Sequence, residues 1–253
     1  MHTWHWRTCE DLPYLTCSLL EPWLHGFFTQ QFSPRTPAEI TSMLQPQAEA
    51  YRVKQVHGNI VLASSEIKQG EGDTLSEADG LITEQPNQAV WVASADCTPV
   101  LIADSTTGQV ASVHAGWRGT AAKIVPEAIA KLQEQGSKIE DLKFALGPAI
   151  AGTVYQVSHQ VAAEVGASIA SGEPEAIIET LQQLPNPPIL SDPHPGRVRL
   201  DVRRVIGLQL ENIGISPEQV AISPHCTYQQ PKNFFSYRRD KLKKVQWSGI
   251  VSK

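Results

Sequence analysis

Three apolar segments follow one another near the middle of the chain, and they constrain the fold more than any other feature. They are Ala89–Ala95, Pro99–Ala103 and Gln109–His114, all partly β-branched. Short apolar runs bounded by turn residues are typical of buried β-strands. The second gap, Asp104–Gly108, has the composition of a hairpin turn. This region therefore predicts strands whose ends carry Asp-Cys-Thr and a histidine.

The flanking sequence predicts helices and further strands around this centre. Arg52–His57 has strand character, and Gly119–Gln135 has helical spacing. Pro126 falls inside this helix and predicts either kinked first turns or a later start. Gln69–Glu77 predicts an exposed loop. Leu184–Val198 holds five prolines and predicts a long surface loop that could act as a lid. No convincing linker divides the chain, so we predict an α/β (α+β) fold with residues 1–253 in a single domain.

Composition excludes several classes of protein. The chain has 253 residues, enough for a large core, and its net charge of -5 argues against a nucleic-acid-binding protein. The four cysteines form no Cys-x-x-Cys pair, which fits free thiols in a reducing compartment. Without a signal peptide or an apolar run of about 18 residues, we expect a cytoplasmic protein with no membrane partner, as a monomer or weak homo-oligomer.

Three residues stand out as metal ligands because each lies beside a glycine or a turn. His57 precedes Gly58, Cys97 follows an aspartate, and His114 precedes an Ala-Gly pair. Two imidazoles and a thiolate give three ligands for zinc and leave a fourth position open. The alternative for each residue alone is a hydrogen-bonded structural histidine or a small buried cysteine.

Other residues could bind or orient a substrate. Trp117 and Arg118 offer a stacking face and a phosphate anchor, or simply a surface arginine packed over a tryptophan. Arg238 offers similar chemistry within an aromatic and basic segment. Asp79 and Asp96 could orient a histidine ligand or act in proton transfer.

Together these segments resemble the YfiH-type proteins, also called multicopper polyphenol oxidase or laccase-domain proteins. The matching segments run in order from about residue 55 to residue 240: Gln55–Gly58, Ala78–Thr83, Ala95–Val100, His114–Gly119, Leu146–Pro148, Tyr155–Val157 and Phe234–Asp240. The resemblance implies a layered α/β/β/α sandwich related to the catalytic core of the cytotoxic necrotizing factor toxins. It also implies zinc bound by His57, Cys97 and His114.

The resemblance also implies an activity. Family members are assigned purine nucleoside phosphorylase activity on adenosine and inosine, and also methylthioadenosine phosphorolysis and adenosine deamination. Some bacterial members are linked instead to correction of peptidoglycan precursors. The chain departs from the family after Asp240, where Lys241–Trp247 replaces the usual glycine and Thr-Gly-Arg.

The oxidase name can be tested against composition. A laccase needs about ten histidines, many in His-x-His pairs. This chain has eight histidines, no such pair and only two methionines, so a full laccase site cannot be built. Copper could still occupy the zinc site adventitiously, because it binds such ligands more tightly.

Our leading hypothesis from the sequence is a zinc-dependent purine nucleoside phosphorylase. Catalytic candidates are Cys97, His114, His57 and Asp96, and candidates for binding nucleoside and phosphate are Arg118, Trp117, Arg238 and Asp79. The main alternative is a thiol hydrolase or amidase acting on peptidoglycan precursors, with the cysteine as nucleophile and a histidine as base. A non-catalytic binding protein is the third.

Overall fold

The computed structural model describes residues 2–67 and 75–253. The predicted loop Gln69–Glu77 lies largely outside these residues. The elements before residue 67 are β1 (Trp4–Cys9), β2 (Leu12–Cys17), β3 (His25–Phe28), α1 (Pro37–Leu44), β4 (Glu49–Tyr51) and β5 (Val61–Ala63). Local sequence explains α1, since Thr36 and Glu39 form a reciprocal capping box and proline begins the helix.

The central and C-terminal parts alternate strands and helices. The central elements are β6 (Gly80–Ile82), β7 (Gln88–Ser94), β8 (Thr98–Asp104), β9 (Val110–Ala115), α2 (Trp117–Ala121), α3 (Ile124–Glu134) and β10 (Leu142–Leu146). The last elements are β11 (Gln156–Ser158), α4 (His159–Gly166), α5 (Pro174–Gln182), β12 (Ile189–Ser191), β13 (Arg197–Leu200), α6 (Val202–Asn212), β14 (Val220–Ile222), α7 (Tyr237–Asp240) and β15 (Gln246–Val251).

Two six-stranded sheets form the centre of the molecule. The first sheet has the order β1-β2-β3-β15-β7-β4, and the second has the order β14-β10-β8-β9-β6-β5. A small third sheet has the order β11-β13-β12. The chain passes from the first sheet to the second between β7 and β8, and Cys97 lies in this crossing.

Buried apolar side chains define four layers. Phe27 and Val90 of the first sheet pack with Leu101 of the second in one cluster between the sheets. The opposite face of the second sheet packs against α3, α4, α5 and α6. Trp91 on the outer face of the first sheet packs with Ile40 of α1. The layers thus run α, β, β, α, and the predicted mixed α/β fold is confirmed, whereas the likeness to the toxin core and the one-domain assignment stay predictions.

The predicted strand Arg52–His57 is wrong. Beyond β4 the backbone is irregular, with one isolated bridge between Lys54 and Glu77. The cause is tertiary, because the carboxylate of Asp79 accepts hydrogen bonds from consecutive backbone N–H groups at residues 56–58. These hydrogen bonds bend the chain away from strand geometry. His57 consequently adopts a left-handed backbone conformation, with φ at 61°.

Two other predictions need adjustment. The helix expected over Gly119–Gln135 is two helices, α2 and α3, separated at Lys123, whose φ is 59°. Of the two effects expected of Pro126, the later start agrees with the longer helix, which begins at Ile124. The loop predicted over Leu184–Val198 is wrong in part, since it contains β12 and the start of β13, which pair antiparallel. Among the described residues no helix is long and apolar enough to span a bilayer.

Candidate metal centre and cavity

Strand register brings the candidate residues to one edge of the second sheet. In the β8–β9 pair Thr98 lies opposite Ala115, so Cys97, just before β8, faces the end of β9. In the β6–β9 pair Gly80 lies opposite Val113, and Asp79 accepts the backbone N–H of His114 at 2.7 Å. Antiparallel pairing therefore brings together residues that are far apart in sequence.

The three predicted ligands form one cluster, which we call the ligand cluster. One ligand atom each from His57, Cys97 and His114 lies within 4.8 Å of the others. The two imidazole rings meet edge to face with centroids 4.8 Å apart. His114 is buried, Cys97 is half-buried and His57 is exposed, so the cluster opens on one side. Three soft or borderline ligands with an open side are typical of a working rather than a structural zinc site.

Asp79 organises this cluster from below. Its carboxylate, fully buried, accepts the Nδ1 hydrogen of His114 at 2.8 Å and three backbone N–H groups of the loop that carries His57. The Nδ1 contact fixes the tautomer that leaves Nε2 of His114 as the ligand atom. Despite burial, which raises it, the pKa of Asp79 is lowered by the hydrogen bond from His114 and by those backbone groups.

Cys97 and His114 shift each other's protonation. Burial raises the pKa of the Cys97 thiol, but the charge of His114 and hydrogen bonds from both histidines lower it to about 6. Burial lowers the pKa of His114, while the Cys97 thiolate and the Asp79 carboxylate raise it to about 9. Near pH 7 the metal-free pair is therefore a thiolate and an imidazolium, and binding of a metal would release the imidazolium proton.

The backbone leaves room for these ligands. A Cβ added at Gly116 would lie 2.9 Å from the sulfur of Cys97 and 3.4 Å from Cδ2 of His57. Only glycine at position 116 therefore allows the thiolate of Cys97 and the imidazole of His57 to lie so close to the backbone. The donor set and the open side fit zinc, and also copper, since both metals bind thiolate and imidazole. The residues present thus fit the metal that the resemblance implies.

Asp96 has a different environment from the ligands. It adopts φ of 95°, and its carboxylate accepts hydrogen bonds from Thr227, Ser236 and the backbone N–H of Arg238. These contacts join the crossing between the sheets to the C-terminal segment. Asp96 therefore fixes the position of Cys97, its neighbour, and its catalytic role stays a prediction.

The predicted substrate-binding arginines each stack over an aromatic ring. The guanidinium of Arg118 stacks over Trp117 at 4.4 Å, and that of Arg238 stacks over Tyr155 at 4.8 Å. Burial, together with the charge of Cys97, raises the pKa of Tyr155 to about 12, and both arginines oppose this shift. Tyr155 thus lies within electrostatic reach of the ligand cluster, although the sequence assigned it no role. The only sequence signal was its place in the family-matching segment Tyr155–Val157.

A cavity of about 610 Å³ opens over the ligand cluster. The walls are mostly apolar, and the lining residues outside the cluster are Val53, Gln55, Ala93, Ser94, Ala95, Tyr237, Leu242, Lys243, Lys244, Val245 and Trp247. The sequence did not identify the wall formed by residues 242–245. Its exposed apolar side chains between lysines were the only signal. Arg118 and Arg238 do not line this cavity.

Comparison with known proteins agrees with this geometry. A family model described as multi-copper polyphenol oxidoreductase laccase matches residues 36–251. A purine nucleoside phosphorylase of Synechocystis is 52% identical over 98% of this chain and 97% of its own length. Crystal structures of YlmD from Geobacillus stearothermophilus and YfiH from Bacillus licheniformis superpose with TM-scores of 0.82 and 0.79. YlmD is 22% identical, and the match covers 98% of this chain and 98% of YlmD. YfiH is 23% identical, and the match covers 98% of this chain and 99% of YfiH. The matched span includes all three predicted ligands, and the chain belongs to the YfiH-type, laccase-domain family.

Proposed function

We propose that this chain is a purine nucleoside phosphorylase that converts adenosine and inosine with inorganic phosphate. The observation that carries the proposal is the convergence of His57, Cys97 and His114 beneath a cavity large enough for a nucleoside. Support comes from the relative with 52% identity, which bears that name along nearly its whole length.

The three ligands would hold zinc, with Asp79 orienting His114. Bound there, zinc would supply Lewis-acid polarisation of a substrate group. The composition that excludes a full laccase site also makes an oxidase role a poor fit for this member of the family.

Phosphorolysis requires an oxygen of phosphate to bond to the ribose C1′ while the bond from C1′ to N9 breaks. The electron pair passes to the purine, which takes up a proton. The mainly apolar cavity wall would exclude the water that competes with phosphate, and the exposed ring of Tyr237 offers a face for a purine. Trp117, Arg118 and Arg238 remain our candidates for binding on the Tyr155 side of the cluster.

Product analysis tests this proposal. Adenosine or inosine is incubated with zinc-loaded protein, with and without phosphate, beside Cys97→Ser. We expect free purine and ribose 1-phosphate only with phosphate, and neither from the variant. Inosine formed from adenosine without phosphate would instead indicate deamination, and methylthioadenosine tested in parallel defines the tolerance at the 5′ position. Absence of any product from the zinc-loaded protein would refute the proposal.

A thiol hydrolase is the second candidate, and one geometric observation favours it. Asp79 holds Nδ1 of His114, whose charge lowers the pKa of the Cys97 thiol, as in a nucleophile-base-orienter triad. Metal-stripped protein that hydrolyses peptidoglycan precursors, and loses this activity after alkylation of Cys97, would establish it.

The free thiols support our proposal of a cytoplasmic location.

A further inference from the structure

The segment that departs from the family pattern forms part of the cavity wall. Residues 241–245 have no regular secondary structure and connect α7 to β15. Leu242 and Val245 line the cavity over the ligand cluster together with Lys243 and Lys244. The same two lysines also line an adjoining cavity of about 280 Å³ with Arg35. Two cations are thus placed at the cavity that contains the ligand cluster.

No carboxylate of the described residues faces these two cations in either cavity. No aspartate or glutamate is among the described residues that line them. Lys243 and Lys244 are exposed and form no ion pair with the described part of the chain, and Lys244 lies 5.7 Å from the ring centroid of Phe235. The whole chain carries a net charge of -5, so this positive wall runs against the general charge of the molecule. Local excess charge of this kind attracts an anionic ligand.

A second feature of the same wall also indicates a polar ligand. Ser94, at the end of β7, lines the cavity and is almost fully buried, yet its hydroxyl has no hydrogen-bond partner among residues 2–67 and 75–253. Buried hydroxyl groups are normally satisfied by protein, water or ligand. The exposed ring of Tyr237 and the exposed side chain of Leu242 provide the apolar part of the same wall. The cavity therefore offers an apolar face, a free hydroxyl and two unpaired cations.

We propose that Lys243 and Lys244 bind the phosphate oxyanion of a ligand that occupies the cavity. Lysine is a strongly hydrated point charge on a flexible stem, suited to a phosphate group. The phosphate is either the inorganic co-substrate or a 5′-phosphate carried by the nucleoside. The first case rests on the proposed phosphorylase function, whereas binding of a nucleoside phosphate does not.

The test uses the metal-loaded full chain and three variants. Lys243→Met/Lys244→Met removes both charges and keeps most of each stem, and Lys243→Arg/Lys244→Arg retains the charges. Lys138→Met, at an exposed lysine that lines neither cavity, controls for removal of a positive charge elsewhere on the surface. Calorimetric titration measures the affinity of each protein for inorganic phosphate, adenosine and adenosine 5′-monophosphate. Steady-state phosphorolysis gives KM for phosphate and for adenosine.

Inorganic phosphate as the source predicts that the methionine pair weakens phosphate binding and raises KM for phosphate about tenfold, with KM for adenosine unchanged. A nucleoside phosphate as the source predicts an about tenfold loss in affinity for the monophosphate relative to adenosine. In both cases the arginine pair retains most of the wild-type value, and Lys138→Met matches wild type. Equal affinities in wild type and the methionine pair, or no binding of either phosphate, would overturn the proposal. Wild type that binds phosphate without phosphorolysis would count against the proposed function alone.

Discussion

A buried histidine lies beside a cysteine in two regions of the molecule, His25 beside Cys17 and His114 beside Cys97, and the two pairs differ in protonation. Near the N-terminal hairpin, Nε2 of His25 accepts the backbone N–H of Cys17 at 2.9 Å, and Nδ1 donates to the carbonyl of Trp23. Both ring nitrogens are therefore occupied by backbone. At the ligand cluster, Asp79 takes only Nδ1 of His114 and leaves Nε2 for a metal or the thiolate.

Protonation follows from this difference. Burial raises the pKa of Cys17 and lowers the pKa of His25, so both groups stay neutral. The pKa of Cys97 is lowered to about 6 and that of His114 is raised to about 9, so both become charged. The two regions differ in the buried carboxylate and in the free ring nitrogen, whereas the two histidines are of the same residue type and are similarly buried. A reactive site therefore depends on what occupies the second nitrogen of the histidine.

Loss of the thiolate should give the largest contrast between the two regions. Cys97→Ser should weaken zinc binding by more than the roughly 10–100-fold that an outer-shell partner contributes, because it removes a ligand. Cys17→Ser should leave zinc affinity unchanged. Competition with a chelating dye measures both, and cobalt substitution should show sulfur-to-metal charge transfer in Cys17→Ser but not in Cys97→Ser. Similar affinities for the two variants would remove the basis of the comparison.

Removal of the buried carboxylate should make the ligand cluster resemble the N-terminal region. Asp79→Asn keeps the shape but replaces an acceptor with an N–H donor among the backbone N–H groups of residues 56–58. We expect about 10–100-fold weaker zinc binding and about 3 kcal/mol lower free energy of unfolding. Chelator competition and urea denaturation measure these changes.

Asp104→Asn is the matched control for the carboxylate. Asp104 is also fully buried, but it caps the β8–β9 hairpin, accepting hydrogen bonds from Thr106 and Thr107 at the opposite end of the strand pair. Asp104→Asn should lower the free energy of unfolding, while the zinc affinity stays at the wild-type value. An equal loss of zinc affinity in both variants would mean that Asp79 acts only through stability.

The sequence predicted which residues cluster better than it predicted the backbone that carries them. Cys97 and His114 were found because they lie at the ends of apolar strands, which composition reveals. His57 was placed in a strand, since no local pattern shows that a carboxylate 22 residues away would capture its loop. The apolar wall at Leu242–Val245 was missed for a similar reason. Irregular backbone has no periodicity, and its exposed side chains have meaning only beside the cavity.

Crowding of the thiolate should have a smaller effect. In Gly116→Ala the new Cβ would lie 2.9 Å from the Cys97 sulfur, so the sulfur or the helix must move. We expect about tenfold weaker zinc binding, within the range for groups that orient ligands. Gly207→Ala in α6 is the control, because its Cβ would meet only ordinary contacts, with Arg204 at 3.7 Å and with Ile222 of β14 at 3.9 Å. Unchanged zinc affinity in Gly116→Ala would show that the close approach of backbone and sulfur is not required.

The smallest effect should come from titration of the neutral histidine. Because burial lowers the folded-state pKa of His25 below 6.5, the unfolded state binds the proton first as pH falls. The contribution of His25 is thus complete above pH 6.5 and is lost below it, by up to about 1.4 kcal/mol per pH unit. His25→Gln can keep one acceptor and one donor but does not titrate. Its stability difference from wild type, measured by urea denaturation, should be constant above pH 6.5 and should shift in favour of the variant as pH falls to 5.5. A difference that stays constant over the whole range would show that His25 is not held neutral by burial, and the contrast with His114 would then rest on geometry alone.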